Sequence, residues 1–332
     1  MTALAIDAGG TSTRAVVVEA DGRCLGYGRS GGGNPISSGI GLAAASMTAS
    51  ASAALLMADL SPRELDTLVI AMAGEVADGE REAFERPMRD LGLPASPVYT
   101  SDASAMFFSG TWLDSGYVLI VGTGAAAVRI EAGQERRTVD GLGWLLGDAG
   151  SGFWIGHQVV LAALAALEGR GPATVLADLL TVELGGLPSG DGARGRPSGV
   201  ALALETFYRQ RPVELARFAP LAFAARGDSV ADAIVAGAVE SLATTLKATL
   251  DPGLPGPVIC GGGVLTHHPE VAREAVALAS PEVAGQVRIV PDGLAGAAQL
   301  ALRSLGVTVD AEVFSTISAS LGALRHDAVR AD

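Results

Sequence analysis

Six short stretches of this 332-residue chain carry residue types that could do chemistry. The first is Asp7-Ala8-Gly9-Gly10-Thr11-Ser12-Thr13-Arg14, where an apolar run ends in a carboxylate, two glycines and several hydroxyls. Backbone N–H groups at Gly9, Gly10 and Thr11 can approach a phosphate closely, because glycine has no Cβ in the way. Thr11 and Thr13 add hydroxyl donors, and Asp7 could hold Mg2+ through water. The second is Gly122-Thr123-Gly124. A tight hairpin explains either turn alone, whereas two such turns at equivalent places would clamp phosphates.

The third stretch is Cys260-Gly261-Gly262-Gly263, after an apolar run. Its glycines leave a flat backbone face on which an adenosine could lie; close helix–strand packing is the plainer reading. This stretch is neither a Walker loop nor a GxGxxG pattern. In the fourth, Asp102 stands where a strand becomes a helix. It is read either as an N-cap or as a general base that takes a proton as an alcohol attacks phosphorus. The fifth runs from Asp140 to Gly156, with six Gly, two Asp and two Trp. Asp148 could accept sugar hydroxyls, and Trp144 or Trp154 could cover a sugar face, although tryptophan is more often core. Asn34, before Pro35, offers a donor and an acceptor to hydroxyls or simply makes a turn. The histidines show no metal-ligand spacing.

Composition limits the partners. The net charge is -13, which argues against nucleic acid or an anionic membrane surface as the main partner. It does not exclude ATP, since a few backbone N–H groups suffice for phosphate. Glycine is 44 of 332 residues, an excess that calls for tight turns and close backbone approach. Two cysteines, Cys24 and Cys260, exclude a disulfide scaffold and read as small buried residues of a reducing, cytoplasmic compartment. The N-terminal run reads directly as a strand without a basic n-region, so no signal peptide is expected. Gly41–Leu60 is apolar but interrupted by Ser, Thr and Asp, so a packed helix is expected there instead of a membrane span.

The elements that must position these residues follow a repeated order. Strands are expected at Leu4–Ile6, Ala15–Glu19 and Cys24–Tyr27, then a helix over Ile40–Met57 and a strand at Leu68–Ala71. A helix over Glu80–Leu91 should kink or end at Pro87, and a short strand at Val98–Thr100 leads into the helix at Asp102. The pattern then restarts with Val118–Val121, Ala126–Glu131 and Glu135–Val139. Helices follow over about 152–250, with a Gly/Pro loop at 185–200. Val258–Cys260 and Val287–Val290 close the strands, a helix is expected near His267, and Gly293–Leu305 is the last strong helix. Both Gly turns fall after the first strand of their series, so the chain reads as an internal duplication.

Together these pieces resemble the superfamily of sugar and acetate kinases, actin and the heat-shock chaperone ATPases. More narrowly, the chain is similar to the N-acetylglucosamine kinase and BadF/BadG-type ATPases, bacterial glucosamine kinases in particular. The resemblance implies a duplicated actin-like (ribonuclease H-like) α/β fold of two lobes with a cleft between them. The lobes would span 1–114 plus about 293–332, and 115–292. It implies phosphate loops at Gly9–Thr13 and Gly122–Gly124, adenosine contact at Gly261, Gly262 and Gly263, and a base at Asp102. Sugar contact would fall to Asn34, Asp102, Gly147 and Asp148. The implied activity is ATP- and Mg2+-dependent phosphorylation of the 6-hydroxyl of D-glucosamine, with an N-acetylglucosamine kinase as the alternative and a homodimer allowed.

Ala149 departs from the pattern, since N-acetylglucosamine-acting members commonly carry an acidic residue there. Asp140 could instead compensate a C2 ammonium, which would favour glucosamine. A dehydratase-activating ATPase would need both cysteines as cluster ligands. A sugar-binding repressor would need a DNA-binding segment ahead of the first strand.

Overall fold

The first strand is apolar but for Thr2 and Asp7, so both its faces must be covered. In the computed structural model, which describes residues 1–74, 76–77, 79–190, 192 and 195–331, this is what occurs. β1 (Thr2–Ala8) pairs antiparallel with β2 (Thr13–Glu19), Ile6 facing Ala15, and β3 (Cys24–Ser30) returns after the Asp21-Gly22 turn. Then come α1 (Pro35–Ser38), α2 (Ile40–Ala58), β4 (Thr67–Met72), α3 (Arg81–Asp90), β5 (Val98–Ser101) and α4 (Asp102–Gly110). β4 runs parallel to β1 and β5 parallel to β4, giving the sheet order β3-β2-β1-β4-β5.

The second series begins with β6 (Gly116–Val121), β7 (Ala125–Glu131) and β8 (Gln134–Asp140). Among the described residues five α-helices follow: α5 (Gly152–Leu167), α6 (Val175–Glu183), α7 (Ser198–Tyr208), α8 (Ala219–Ala224) and α9 (Ser229–Lys247). Next are β9 (Val258–Gly261), α10 (Gly263–His267), α11 (Pro269–Ala279) and β10 (Val287–Ile289), and the chain finishes with α12 (Leu294–Ser304) and α13 (Ala311–Ala331). The second sheet is ordered β10-β9-β6-β7-β8. Counted within its own series, each sheet reads third, second, first, fourth, fifth strand. The duplication inferred from element order is therefore a duplication of sheet topology, in an α/β fold with two mixed sheets.

Period-two alternation explains how the first sheet is covered. Leu4 and Ile6 face one way, with Leu68 and Ile70, and pack against Met47 and Ala51 of α2 and Phe84 and Met88 of α3. Ala3, Ala5, Val16 and Val18 face the other way, against Leu294, Ala297 and Ala301 of α12 and Ile317 and Leu321 of α13. Each large side chain so buried contributes about 1.5–3 kcal/mol. Part of the glycine excess is close approach: a Cβ at Gly28 would strike the Ser50 carbonyl of α2.

α3 runs through Pro87 to Asp90, with Phe84 and Met88 buried on either side, so of the two outcomes expected at Pro87 the helix does not end there. After β9 a short helix spans Gly263–His267, and α11 starts at Pro269, near the start expected at His267. One expectation needs correction. The segment after Gly293–Leu305 is a 21-residue helix, α13. Its apolar stripe Phe314, Ile317, Leu321 and Leu324 was present in the sequence at helical spacing.

α2 and α9 are long and apolar enough to cross a bilayer by length and composition. Both bury a face in the protein: Ala43, Met47, Ala51 and Ala54 in α2, and Ile234, Ala238, Leu242 and Leu246 in α9. The chain divides into two compact units. Unit 1 is Met1–Val118, Ile130–Glu135 and Val290–Asp332, and unit 2 is Leu119–Arg129 and Arg136–Ile289.

Candidate active site

In unit 1 the carboxyl ends of three parallel strands are level. Ala8 of β1 pairs with Met72 of β4, and Met72 pairs with Ser101 of β5. Strand ends of this kind are where α/β proteins place ligands. Asp7 stands one residue inside β1, and Asp102 follows β5 directly.

The two readings of Asp102 are separated by its neighbour. The N-cap of α4 is Ser101, whose Oγ accepts the Ser104 N–H at 2.9 Å. Asp102 is the first helical residue, and its carboxylate is not needed as the cap. Burial pushes its pKa up, the Ala103 N–H draws it down, and the charge of Glu135 raises it further. Glu135 itself accepts from the hydroxyls of Ser101 and Ser104, the latter at 2.8 Å. A cavity of about 470 Å³ opens beside this point, lined by Met72, Val76, Arg81, Tyr99, Thr100 and Ser101. The Arg81 guanidinium lies 5.5 Å from the centre of the Tyr99 ring. The Tyr99 hydroxyl donates to Glu85 at 2.9 Å, and burial and Glu85 hold the phenol neutral well above its usual range.

Asp7 is buried, and its Oδ2 accepts the Gly293 N–H at 3.1 Å. Burial, then the charge of Asp292, pushes its pKa up to about 7 against the pull of Arg14 and Gly293. Arg14 lies 3.2 Å from Asp292 and 3.9 Å from Asp7, and Arg325 pairs with Asp292 at 2.5 Å. A carboxylate this costly to ionise alone suits a divalent cation that restores the balance. Among the described residues no group of three or more His, Cys, Asp or Glu forms a ligand cage. Mg2+ is commonly held by one or two carboxylates together with waters and substrate phosphates, and the Asp7 carboxylate is a donor of that kind.

The loop after β1 is tied to the Asn34 loop. Gly9 N–H donates to the Ser12 carbonyl at 3.0 Å, and the Gly9 carbonyl accepts from Gly33 and Asn34 at 3.0 and 3.2 Å. Gly10 and Thr11 remain exposed at the tip, and Asn34 is half-buried. Thr13 departs from its expected role. It is fully buried and its hydroxyl donates to the Gly31 carbonyl at 2.8 Å, so it fastens the two loops together and does not face a phosphate.

In unit 2 the turn Gly122-Thr123-Gly124 is gripped by the start of α5. Gly152 N–H donates to the Gly122 carbonyl at 2.8 Å and Phe153 N–H to the Thr123 carbonyl at 3.1 Å. Ser151 caps the helix, accepting the Trp154 N–H at 3.1 Å. Asp148 is buried and reaches back to the Ala125 and Gly143 N–H groups. Its pKa is raised, first by burial and further by Asp140, against those hydrogen bonds. A Cβ on Gly124 would stand 2.8 Å from the Asp148 carboxylate, so the glycine is what admits it.

Asp140 has a duty in its own loop as well. Its Oδ1 accepts the Asp148 N–H at 2.7 Å and its Oδ2 the Ala149 N–H at 3.2 Å. Both oxygens thus shape the loop, and Gly147 is required because a Cβ there would collide with this carboxylate. Trp154 packs near Gly237 of α9, whereas Trp144 is 40% exposed on the loop, its ring 5.6 Å from Phe153.

Gly261 ends β9, and Gly262 turns into α10 with φ +92. A Cβ at Gly262 would be 2.5 Å from the Val121 carbonyl, while one at Gly263 would meet nothing within 4 Å. Gly262 is therefore a packing glycine, and Gly263 presents open backbone. Cys24 and Cys260 are free and buried, and burial pushes their thiols up to about 11 and 12.

Sequence reasoning missed Ser101, Glu135, Asp292 and Arg325. Ser101 and Ser104 did carry a local signal, a hydroxyl three residues before another at a strand-to-helix step. Asp292, before Gly293 and an apolar helix, carried a similar one. Glu135 and Arg325 reach the site only through the tertiary fold.

Comparison with known proteins agrees with this architecture. The model of the BadF/BadG/BcrA/BcrD ATPase family matches residues 4–301. A glucosamine kinase of Vibrio cholerae is 29% identical over 175 residues, 53% of this chain and 58% of that one. An N-acetylmuramic acid/N-acetylglucosamine kinase of Clostridium acetobutylicum is 31% identical over 117 residues, 35% of this chain and 38% of that one. The matched part thus spans little more than half the length of the first curated relative and less of the second. Among solved structures, a presumed N-acetylglucosamine kinase of Chromobacterium violaceum superposes with a TM-score of 0.69 at 23% identity, over 90% of this chain and 98% of that one. A ROK hexokinase of Thermus thermophilus gives 0.51 at 20% identity, over 92% and 99%. At these identities the structural likeness speaks for the fold.

Proposed function

The chain belongs to the BadF/BadG/BcrA/BcrD ATPase family, and from that premise we propose that it is an ATP-dependent hexosamine kinase. Its reaction would transfer the γ-phosphoryl group of ATP to the 6-hydroxyl of D-glucosamine, giving glucosamine 6-phosphate and ADP. The observation that carries the reading is Asp102. It is a carboxylate released from capping duty by Ser101, raised in pKa, and set beside a cavity roomy enough for a sugar.

In this reading Asp102 accepts the O6 proton as that oxygen forms its bond to the γ-phosphorus and the bond to the leaving ADP oxygen breaks in line. In unit 1 the exposed backbone of Gly10 and Thr11, and in unit 2 the turn at Gly122–Gly124, would each offer phosphate oxygens fixed N–H groups that need no reorganisation. Gly263 and the preceding Gly261 and Gly262 carry the adenosine. Asp148 and Asn34 orient sugar hydroxyls. Asp7 would hold Mg2+, which when bound offsets charge on the β- and γ-phosphate oxygens. The work of the protein is mostly placement and electrostatics. The reading sets the enzyme in the cytoplasm, in keeping with two free, buried thiols.

One observation favours a second acceptor, N-acetylglucosamine. With both Asp140 oxygens engaged by backbone N–H groups, the loop offers less to a C2 ammonium. The dehydratase-activator reading is the weaker one. Cys24 and Cys260 are both buried with raised thiol pKa, unsuited to bridging an exposed cluster.

The test is coupled ADP release with MgATP and glucosamine, N-acetylglucosamine, glucose, mannosamine or no sugar. Turnover with one amino sugar well above the rest is expected. Sugar-independent hydrolysis, or none with any of them, would overturn the proposal.

A further inference from the structure

α13 lies outside the stretch matched by the family model, which stops at residue 301. It is nonetheless built into unit 1. Ile317 and Leu321 are buried with Val16 and Val18 of β2. Cys24 N–H donates to Ser320 Oγ at 3.0 Å. At the β2–β3 turn a Cβ on Gly22 would stand 2.6 Å from the Val313 carbonyl, so the helix rests directly on a glycine turn. These contacts fix the register of α13 along its length.

That register brings Arg325 to Asp292. Nη2 is 2.5 Å from Oδ1, while Oδ2 faces Arg14 Nε at 3.2 Å. Asp292 also accepts the Leu294 N–H at 3.0 Å. The Nε of Arg325 is buried without a hydrogen-bond partner among the described residues. An unmade bond of that kind costs stability, and what offsets it is the Asp292 pair together with the Tyr27 ring, 6.0 Å from the guanidinium carbon.

We propose that Arg325 is a positioning residue for the cation site at Asp7, supplied from outside the family-matched stretch. The proposal rests on reading Asp7 as the Mg2+ carboxylate. By holding Oδ1 of Asp292, Arg325 leaves Oδ2 to hold Arg14, and Arg14 stays 3.9 Å from Asp7 instead of closing on it. Asp7 then keeps an oxygen for a water-held cation. Without Arg325, Asp292 reorients, Arg14 is released to pair with Asp7, and guanidinium and cation compete for one carboxylate.

The test uses the full chain with ADP and Mn2+ as the probe, free Mn2+ being read by electron paramagnetic resonance, alongside turnover against metal concentration. Arg325→Gln should weaken Mn2+ binding about 10-fold, in line with the effect of removing residues that orient metal ligands. Arg325→Lys should recover much of that loss, and turnover at saturating metal should stay near the parent value. Ser318→Ala, which removes an exposed hydroxyl bonded only to the Phe314 carbonyl within α13, should bind Mn2+ as the parent does. Parent-like binding in Arg325→Gln, or equal weakening in Ser318→Ala, overturns the proposal. Asp7→Asn separates the two ideas. If it loses Mn2+ while Arg325→Gln does not, only the role of Arg325 falls. If the parent chain binds no more Mn2+ than ADP alone does, the metal reading of Asp7 falls and takes this one with it.

Discussion

Asp140 and Asp148 act as one piece of structure. The Asp148 N–H lies 2.7 Å from Asp140 Oδ1, and both residues hold left-handed backbone, φ 63 and 59. Aspartate tolerates that conformation better than most residues, but the loop depends on the hydrogen bond to keep it. Asp140→Ala should therefore raise KM for glucosamine and for glucose together, by about 10-fold, consistent with displaced orienting groups. A rise confined to glucosamine would instead make Asp140 the counter-charge to the C2 ammonium.

Asp102→Asn should cut kcat by about 10²–10⁴-fold with sugar binding largely kept, the usual span for loss of a general base. In the parent enzyme the base must be ionised, so activity falls on the acid side at a pH above the ordinary aspartate range of about 3.9. Burial is the main cause of that shift, and Glu135 adds to it. Glu135→Gln should move the acid limb of kcat/KM to lower pH. A pH profile shows the direction, and a shift to higher pH would refute the assignment.

Asp7 should cost stability. Its folded pKa of about 7 exceeds the unfolded 3.8, so the folded chain binds the proton more tightly. Stability from this group is complete below about pH 4 and is lost as pH rises through 7. Without divalent metal, Asp7→Asn should be more stable than the parent at pH 8 by roughly 2–4 kcal/mol, and nearly equal to it at pH 4. The same variant should lose turnover. Urea unfolding at both pH values measures the difference, and no gain at pH 8 would contradict it.

Gly262 and Gly263 are adjacent and should respond oppositely. Gly262→Ala forces a Cβ to 2.5 Å from the Val121 carbonyl at φ +92, and should cost about 1–3 kcal/mol or more in urea unfolding. Gly263→Ala meets nothing within 4 Å at the start of α10, and should be neutral or stabilising by up to about 1 kcal/mol. If the adenosine lies on Gly263, that variant still binds nucleotide less tightly. Unchanged nucleotide affinity would move the adenosine elsewhere.

How much of this was legible in the chain depends on the range of the interaction. The strands announced themselves through apolar runs and turn glycines, and both sheets follow from local pattern plus repetition. Asp7, Asp102 and Asp148 were visible because each follows a strand or sits in a glycine-rich loop. The cap at Ser101 was not weighed, since Ser and Asp side by side are both good caps and only geometry says which hydroxyl meets the Ser104 N–H. The duty of Thr13 was misread for the same reason, and the hold of Asp140 on its own loop was not foreseen. A hydroxyl or carboxylate does not declare whether it faces a ligand or the backbone of its own loop. α13 escaped because its apolar stripe is sparse among Ser, Thr and Ala, so its helical period was less conspicuous than its polarity.

The division of unit 1 has a consequence for biosynthesis. Its sheet is translated first, but the helices that cover Ala3, Ala5, Val16 and Val18 belong to the segment from Val290 onward. The ribosome must make all of unit 2 in between, roughly 10–30 s at ordinary elongation rates. During that interval one apolar face of the nascent sheet has only Ala105 of α4 as cover from its own early segment. The chain therefore has a reason to complete unit 2 quickly and to need shielding until the last helices emerge, and substitutions in α12 or α13 should show themselves as lost yield before they show as lost turnover.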